Sequence, residues 1–307
     1  MICCTFQGRL GNQLFEYAFV RAIYEARGCR DELVFDFRQV ECMKTDGVNW
    51  KNYLTDYNIL PYMKAEGHPV WNYASFLQKA VYALSMGVLR FVHKFDSNFD
   101  DDRIYRLMVP FGYLYYSNES NQRFEKVPET KNVFIFGHFE NPLYFDSVKS
   151  ILRREFYPKS LAIVDSDFFS RVCSSNSVCV TVRHGSDYLK TPLDIVNADY
   201  FRRAIVRMEE LVSKPVFFFF SDDVEWCRNE FSFVKDAYFE PGTDTVSSKL
   251  YLMSQCRHFI ISNSTFSWWA QYLGSYEQKI VISPDKWVYI NGKAVTTPLL
   301  LDSFIKI

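Results

Sequence analysis

Four polar segments in the second half of the chain carry side chains of the types that can hold phosphates and move protons. Each follows an apolar run. Arg183-His184-Gly185-Ser186-Asp187-Tyr188 follows the run 178–182. Ser221, Asp222 and Asp223 follow 216–220, Pro241-Gly242-Thr243 follows 237–239, and Asn263-Ser264-Thr265-Phe266-Ser267 follows 259–261. A guanidinium such as Arg183 offers a bidentate fork to a phosphate. Hydroxyls and open backbone N–H groups at a helix start, as at Ser264 and Thr265, bind phosphate oxygens. A carboxylate such as Asp222 can accept from the ring N–H and amino group of guanine. The set suits a nucleotide diphosphate. For single residues the alternatives are structural: Ser264, Thr265 and Asp222 as helix caps, and Arg183 in a surface ion pair.

The elements that must position these residues follow from periodicity. From residue 177 on, strands are expected at 178–182, 216–220, 237–239, 259–261 and 280–282. Helices are expected between most of them: 198–212 with Asn197 as N-cap, 224–231 with Asp222 and Glu225 as a capping-box variant, 246–257 and 266–273. Such alternation predicts a parallel, doubly wound sheet, which binds ligands outside the carboxyl ends of its strands. The N-terminal half begins similarly. An apolar run 2–6 leads into Gly8-Arg-Leu-Gly11-Asn12-Gln13, and then Leu14, Phe15, Ala18, Phe19, Ala22, Ile23 and Ala26 recur at helical spacing. Glu16, Arg21 and Glu25 fall off that stripe, and Gly28 marks the helix end. A strand is expected at 33–37, helical character at 70–93, an acidic loop at 96–102, a strand at 133–136 and a helix at 144–156 ended by Pro158. The expected division is an α/β domain over 1–160 with an irregular insertion at 40–130, a nucleotide-sugar domain over 161–290, and a tail over 291–307.

Composition bounds the class. The chain has 307 residues, 48% apolar and 23% charged, and a formal net charge of −1. That excludes a disordered protein and gives no net pull toward nucleic acid or an anionic membrane, while a local basic patch stays compatible with it. No stretch reaches the ~18 apolar residues of a membrane span, and Met1–Phe6 is too short for a signal peptide. A cytoplasmic setting is expected, and peripheral association with a membrane surface is compatible with it. Eight scattered cysteines without a C-x-x-C pair suit free thiols in a reducing compartment.

Several segments, in order, resemble the α-1,2-fucosyltransferases of glycosyltransferase family 11, in its bacterial form. They are Gly8-Arg-Leu-Gly-Asn-Gln-Leu-Phe15, Val178 to Tyr188, Phe218-Phe-Phe-Ser-Asp-Asp223, and Leu250-Tyr-Leu-Met with Ile261-Ser-Asn-Ser-Thr-Phe-Ser-Trp-Trp269. Gly137-His-Phe-Glu-Asn141 with Tyr144-Phe145 resembles the family's glycine–aromatic segment. The resemblance implies a GT-B fold of two Rossmann-like domains facing across a cleft. It also implies GDP-fucose as donor, a glycan acceptor such as the 2-hydroxyl of a galactoside, inversion, and neither metal nor other cofactor. By similarity Arg183 holds the diphosphate and Asp222 reads guanine. Ser264, Thr265 and Phe266 line diphosphate and base, and Gly11 and Asn12 face the fucose or β-phosphate. The sequence departs from the family at Thr181, where a His is usual, at His184, where a second Arg is usual, and at Ser186, an extra residue before Asp187. The resulting spacing resembles protein O-fucosyltransferases.

Inversion by direct displacement needs a group to accept the acceptor's proton. Asp187, four residues after Arg183, ranks first and His184 second. Rival readings are a metal-dependent transferase using Asp165-Ser-Asp167, which also fits a helix cap, another fucosyltransferase, and a carbohydrate-binding protein without turnover. Asn118-Glu-Ser and Asn263-Ser-Thr match glycosylation sequons, which a cytosolic protein would not use.

Overall fold

The computed structural model describes the whole chain except Asp46, Asn98, residues 116–126, Ser186, Asp187, Thr243 and Asn291. The chain divides into two compact units, Met1–Thr55 with Ile59–Arg154, and Asp56–Asn58 with Glu155–Ile307.

The first unit is built on β1 (Ile2–Thr5), β2 (Leu33–Asp36), β5 (Met63–Lys64), β6 (Tyr113–Tyr115) and β7 (Val133–Phe136). All are parallel, in the order β5-β2-β1-β7-β6, and a hairpin of β3 (Lys44–Thr45) and β4 (Val48–Asn49) lies outside that sheet. The central strands are buried along their whole length, as strands covered on both faces must be. Helix Leu10–Ala26 follows β1. Its apolar stripe is as expected, but Glu16 is fully buried and Arg21 nearly so. Arg21 is compensated by Glu25 at 2.6 Å. Residues 40–130 are no insertion. They supply two strands of the sheet and the helices Pro69–Tyr73, Phe76–Val92 and Asp102–Met108. Strands of two or three residues leave no period to read, which is why sequence alone missed them.

The second unit carries β8 (Asn176–Val182), β9 (Pro215–Ser221), β10 (Ala237–Phe239), β11 (His258–Ile260), β12 (Val281–Ser283) and β15 (Ile305–Lys306). They form a parallel sheet in the order β10-β9-β8-β11-β12-β15, with β13 (Val288–Ile290) and β14 (Lys293–Val295) as a separate hairpin. Helix Ala198–Leu211 starts at Asn197, whose side chain accepts from the Tyr200 N–H. Its face of Tyr200, Phe201, Ala204, Ile205 and Met208 packs on Val178, Val180, Phe217 and Phe219. Each such fully buried side chain is worth roughly 1.5–3 kcal/mol.

The boundary between the units lies at Glu155, not at 160, and Asp56–Asn58 cross into the second unit. The reason is packing: Phe156 meets Tyr57 and Trp269, and the Asn58 N–H donates to the Glu155 carbonyl. Nor is 291–307 a separate tail. Ile305 pairs with Ile282, and Trp268 Nε1 donates to the Leu299 carbonyl. The expected helix at 144–156 is two short 3-10 turns followed by Lys149–Glu155. Cys3, Cys179 and Cys256 are buried among apolar groups, as small hydrophobes pack.

Asp165 caps helix Ser166–Ser174, its Oδ1 accepting from the Phe168 N–H at 2.8 Å. Asp165→Ala should therefore lower stability by about 1 kcal/mol, the usual worth of such a cap, seen as a lower urea midpoint. Catalytic turnover should be unaffected; a loss of turnover that added manganese restores would instead make Asp165 a metal ligand.

Candidate active site

In the first sheet β1 and β7 lie side by side, and in the second the strand order reverses between β8 and β11. Connections leave in opposite directions there and open a crevice at the carboxyl ends. The candidate residues gather at these two points.

In the second unit Val182 pairs with Ser221, so the residues just beyond, Arg183 with Asp222 and His184 with Asp223, come side by side. Arg183 Nε lies 3.2 Å from Asp222 Oδ2, and Asp222 Oδ1 accepts from the His184 N–H at 2.8 Å. The Arg183 guanidinium sits over the Tyr188 ring at 5.2 Å, and the Tyr188 hydroxyl donates to the Asn263 carbonyl across the strand reversal. His184 Nδ1 is 3.0 Å from Asp223 Oδ2, and its ring stacks on Trp226 at 4.1 Å. The backbone N–H of Trp226 first, and His184 second, hold the Asp223 carboxyl below its ordinary range.

One expectation changes here. The cap of helix Val224–Glu230 is Asp223, accepting from the Trp226 N–H, and not Asp222. Capping geometry selects the residue immediately before the first helical one, and with the helix starting at Val224, as expected, that residue is Asp223. Both Asp222 oxygens face protein groups, Arg183 and the His184 amide.

Opposite Arg183, helix Thr265–Leu273 begins after β11. Ser264 stands at its N-cap position without a side-chain cap bond, and Ser264, Thr265 and Phe266 are half-buried. Thr181 is buried and its hydroxyl accepts from the Ser262 N–H, which joins β8 to the segment after β11. Asn263 is buried, with its side-chain amide donating to the Leu193 and Trp287 carbonyls, so it is not presented as a sequon. Asp187, Ser186 and Asn118 lie outside the described residues. Sequence reasoning passed over Glu240, which follows β10 and is almost fully buried with the Lys249 ammonium 2.8 Å away.

In the first unit Gly8 turns with φ +66°, and a Cβ there would lie 2.7 Å from Asn12 Nδ2. Only glycine combines that angle with that proximity. Gly11 and Asn12 lie in the first turn of helix Leu10–Ala26, and Gln13 is a structural tie, bonded to the Gly8 and Lys51 carbonyls and the Tyr53 N–H. Asn12 Nδ2 and Glu16 Oε1 both approach His138 Nδ1, at 3.3 and 3.1 Å. Both Glu16 oxygens accept from the Gln7 N–H. His138 follows β7 and is partly open to solvent. Between it and Glu140, Phe139 holds a left-handed φ of 51° and stacks on Phe19 at 3.9 Å. This Glu16–His138 pair was missed because a lone glutamate off an apolar stripe reads as a surface residue; its partner lies 122 positions away.

Burial pushes the Glu16 carboxyl up to about 7, against the hydrogen bond and charge of His138. Burial opposes charge on His138, but the Glu16 hydrogen bond and the Glu16 and Glu140 charges outweigh it and raise the imidazole to about 8. Both groups thus have raised proton affinity near neutrality. No cluster of three or more His, Cys, Asp or Glu suited to a metal occurs among the described residues. Nor is any described helix long and apolar enough to cross a membrane.

The sequence profile of glycosyl transferase family 11 matches residues 108–289. The chain belongs to glycosyltransferase family 11. The O-antigen biosynthesis glycosyltransferase WbnK of Escherichia coli is 26% identical over 318 residues, covering 98% of this chain and 98% of that protein. The alpha-1,2-colitosyltransferase of Escherichia coli is 33% identical over 180 residues, 55% of this chain and 61% of that one. Among solved structures, the NodZ alpha-1,6-fucosyltransferase soaked with GDP-fucose aligns over 97% of this chain and 99% of its own, at TM-score 0.49 and 13% identity.

The raised values of the pair set a pH dependence. Glu16 contributes stability below about 4.5 that is lost as pH rises through about 7, and His138 contributes stability below 6.5 that is lost as pH rises through about 8. Denaturation midpoints should therefore fall as pH rises across this window, and the fall should be smaller in Glu16→Gln. By NMR, one of the five histidines should titrate near 8 and move down in that variant. Identical pH profiles for the two proteins would show that the two groups do not set each other's proton affinity.

Proposed function

We propose that this glycosyltransferase moves L-fucose from GDP-fucose to the 2-hydroxyl of a galactoside in a glycan acceptor. In this reading it acts in the cytoplasm, inverts the anomeric centre and uses no metal. The observation that carries the reading is the placement of Arg183 at the strand reversal of the second unit. There it is held by Asp222 and Tyr188, across from the hydroxyl-lined start of helix Thr265–Leu273. As the glycosidic bond stretches, negative charge builds on the departing diphosphate. A guanidinium fixed beforehand stabilises that charge without reorganising. Ser264, Thr265 and the helix N-terminus add hydrogen bonds to the same oxygens, and Phe266 lines the base.

Asp222 acts through Arg183 in this scheme, as a positioning residue. Gly11 and Asn12 face the sugar. Asp187 is the first candidate to take the acceptor's proton, and His184, aligned by Asp223 and Trp226, the second. The donor class is supported by relatives such as the galactoside 2-alpha-L-fucosyltransferase Sec1 of Mus musculus, 36% identical over 107 residues, 32% of this chain and 29% of that one. The identity to the alpha-1,2-colitosyltransferase favours a second reading, in which the transferred sugar is colitose.

A donor panel tests the class. GDP-fucose should be turned over in excess EDTA and UDP-galactose should not. Preference for GDP-colitose would move the assignment to the second reading, and complete loss in EDTA would overturn the metal-free mechanism. Arg183→Ala should lower kcat by roughly 10²–10³-fold, the usual cost of one preorganised charge-stabilising donor, with poor rescue by Lys, which lacks the planar fork. If Asp222 works through Arg183, adding Asp222→Asn to Arg183→Ala should cost nothing further. Multiplying losses would show that Asp222 has a separate role such as reading guanine.

A further inference from the structure

Helix Phe76–Val92 has 17 residues and is about 25 Å long. Ser75 and Gln78 form a capping box at its start. One face docks on its own unit. Gln78 is buried and donates to the Phe111 and Asn132 carbonyls, Leu89 is buried, and Val81, Tyr82 and Met86 pack against the cluster that includes Val70, Tyr113 and Phe134.

The opposite face is apolar and exposed. Phe76 is 90% exposed, Leu77 60%, Leu84 71% and Phe91 63%, with Val88 beside them and Phe95 one turn beyond at 78%. Positions 77, 84, 88, 91 and 95 recur at three, four or seven and form one stripe. Such a contiguous patch marks an interaction surface.

Charge identifies the partner. The helix contains no Asp or Glu; it carries Lys79 and Arg90, and His93 and Lys94 follow at once. The acidic run begins only at Asp96. Its Asp101 lies 2.6 Å from His93 Nε2, Asp100 faces Arg103 at 3.9 Å, and Asp102 is buried. A second copy of the stripe would bring cations against cations. An anionic lipid surface would supply the missing negative charge while receiving the apolar side chains.

We propose that helix Phe76–Val92 lies in the headgroup region of a membrane rich in anionic phospholipid, Leu84 and Phe91 pointing into it and Arg90 and Lys94 meeting phosphate. The helix lies outside the residues matched by the family profile, and the proposal is independent of the donor assignment.

The test is co-sedimentation of the full chain with vesicles of phosphatidylcholine alone or mixed equally with phosphatidylglycerol. The wild type should bind the anionic vesicles, release them in high salt, and bind neutral ones at least about tenfold more weakly. Leu84→Glu with Phe91→Glu should abolish binding while circular dichroism and turnover on a soluble acceptor stay unchanged. Arg90→Glu with Lys94→Glu should remove the preference for anionic lipid and leaves the apolar stripe intact should the first pair misfold. Absence of binding to anionic vesicles, or binding unaffected by either pair, overturns the proposal. So does light scattering that shows a dimer broken by the Leu84 and Phe91 changes, with no vesicle binding, since the stripe then contacts a second copy.

Discussion

The alignment of β8 with β9 is the constraint on which the donor-side arrangement depends. With Val182 opposite Ser221, the two residues beyond each strand face one another, cation to carboxylate and imidazole to carboxylate. A slip of one residue would leave Arg183 beside Ser221 or Asp223 and would turn every inward side chain of a doubly buried strand. Register and site chemistry are therefore specified together. The Phe-rich β9 and the Val-rich β8, packed under helix Ala198–Leu211, hold that register with far more burial energy than the partly exposed ion pairs supply.

The same economy governs the start of the chain. The Gly8 turn brings Asn12 close under the β1–helix connection, and Phe139, held in a left-handed conformation by its stack on Phe19, separates His138 from Glu140. A bulky residue in that region of backbone space is strained and persists only where packing over-determines it. Here the packing ring is a buried phenylalanine, and the neighbours it separates are the titratable His138 and Glu140. The raised proton affinity of Glu16 is a consequence of the same burial. A carboxyl fully removed from water beside an imidazole keeps a charge only by pairing it.

The two units divide these tasks. In the second, hydroxyls, a helix N-terminus and a guanidinium gather at the strand reversal, where the proposed reaction puts its anionic leaving group. In the first, groups with raised proton affinity suit proton traffic. The helices that cover the first sheet also carry surface unrelated to either task, as the exposed stripe of Phe76–Val92 illustrates.

Much of the fold was legible without coordinates. The apolar runs that became β7 to β12, the Asn197 and Asp165 caps and the Gly28 helix stop depend on local periodicity and backbone chemistry, which the residues themselves carry. So did the candidate residues Arg183, Ser264 and Thr265, because strand ends are local features and ligands gather there. Partnership was not legible. That Asp222 turns to Arg183, that Trp226 backs His184, and that Glu16 is buried against His138 all depend on strand order and register. Those are set by the summed burial of both sheets over separations of tens to more than a hundred residues, and no local pattern records them. The short strands β5 and β6, the place of Asp56–Asn58 in the second unit, and the pairing of Ile305 with Ile282 belong to the same class: each is too brief to have a period of its own and exists only because a neighbouring strand offers its edge.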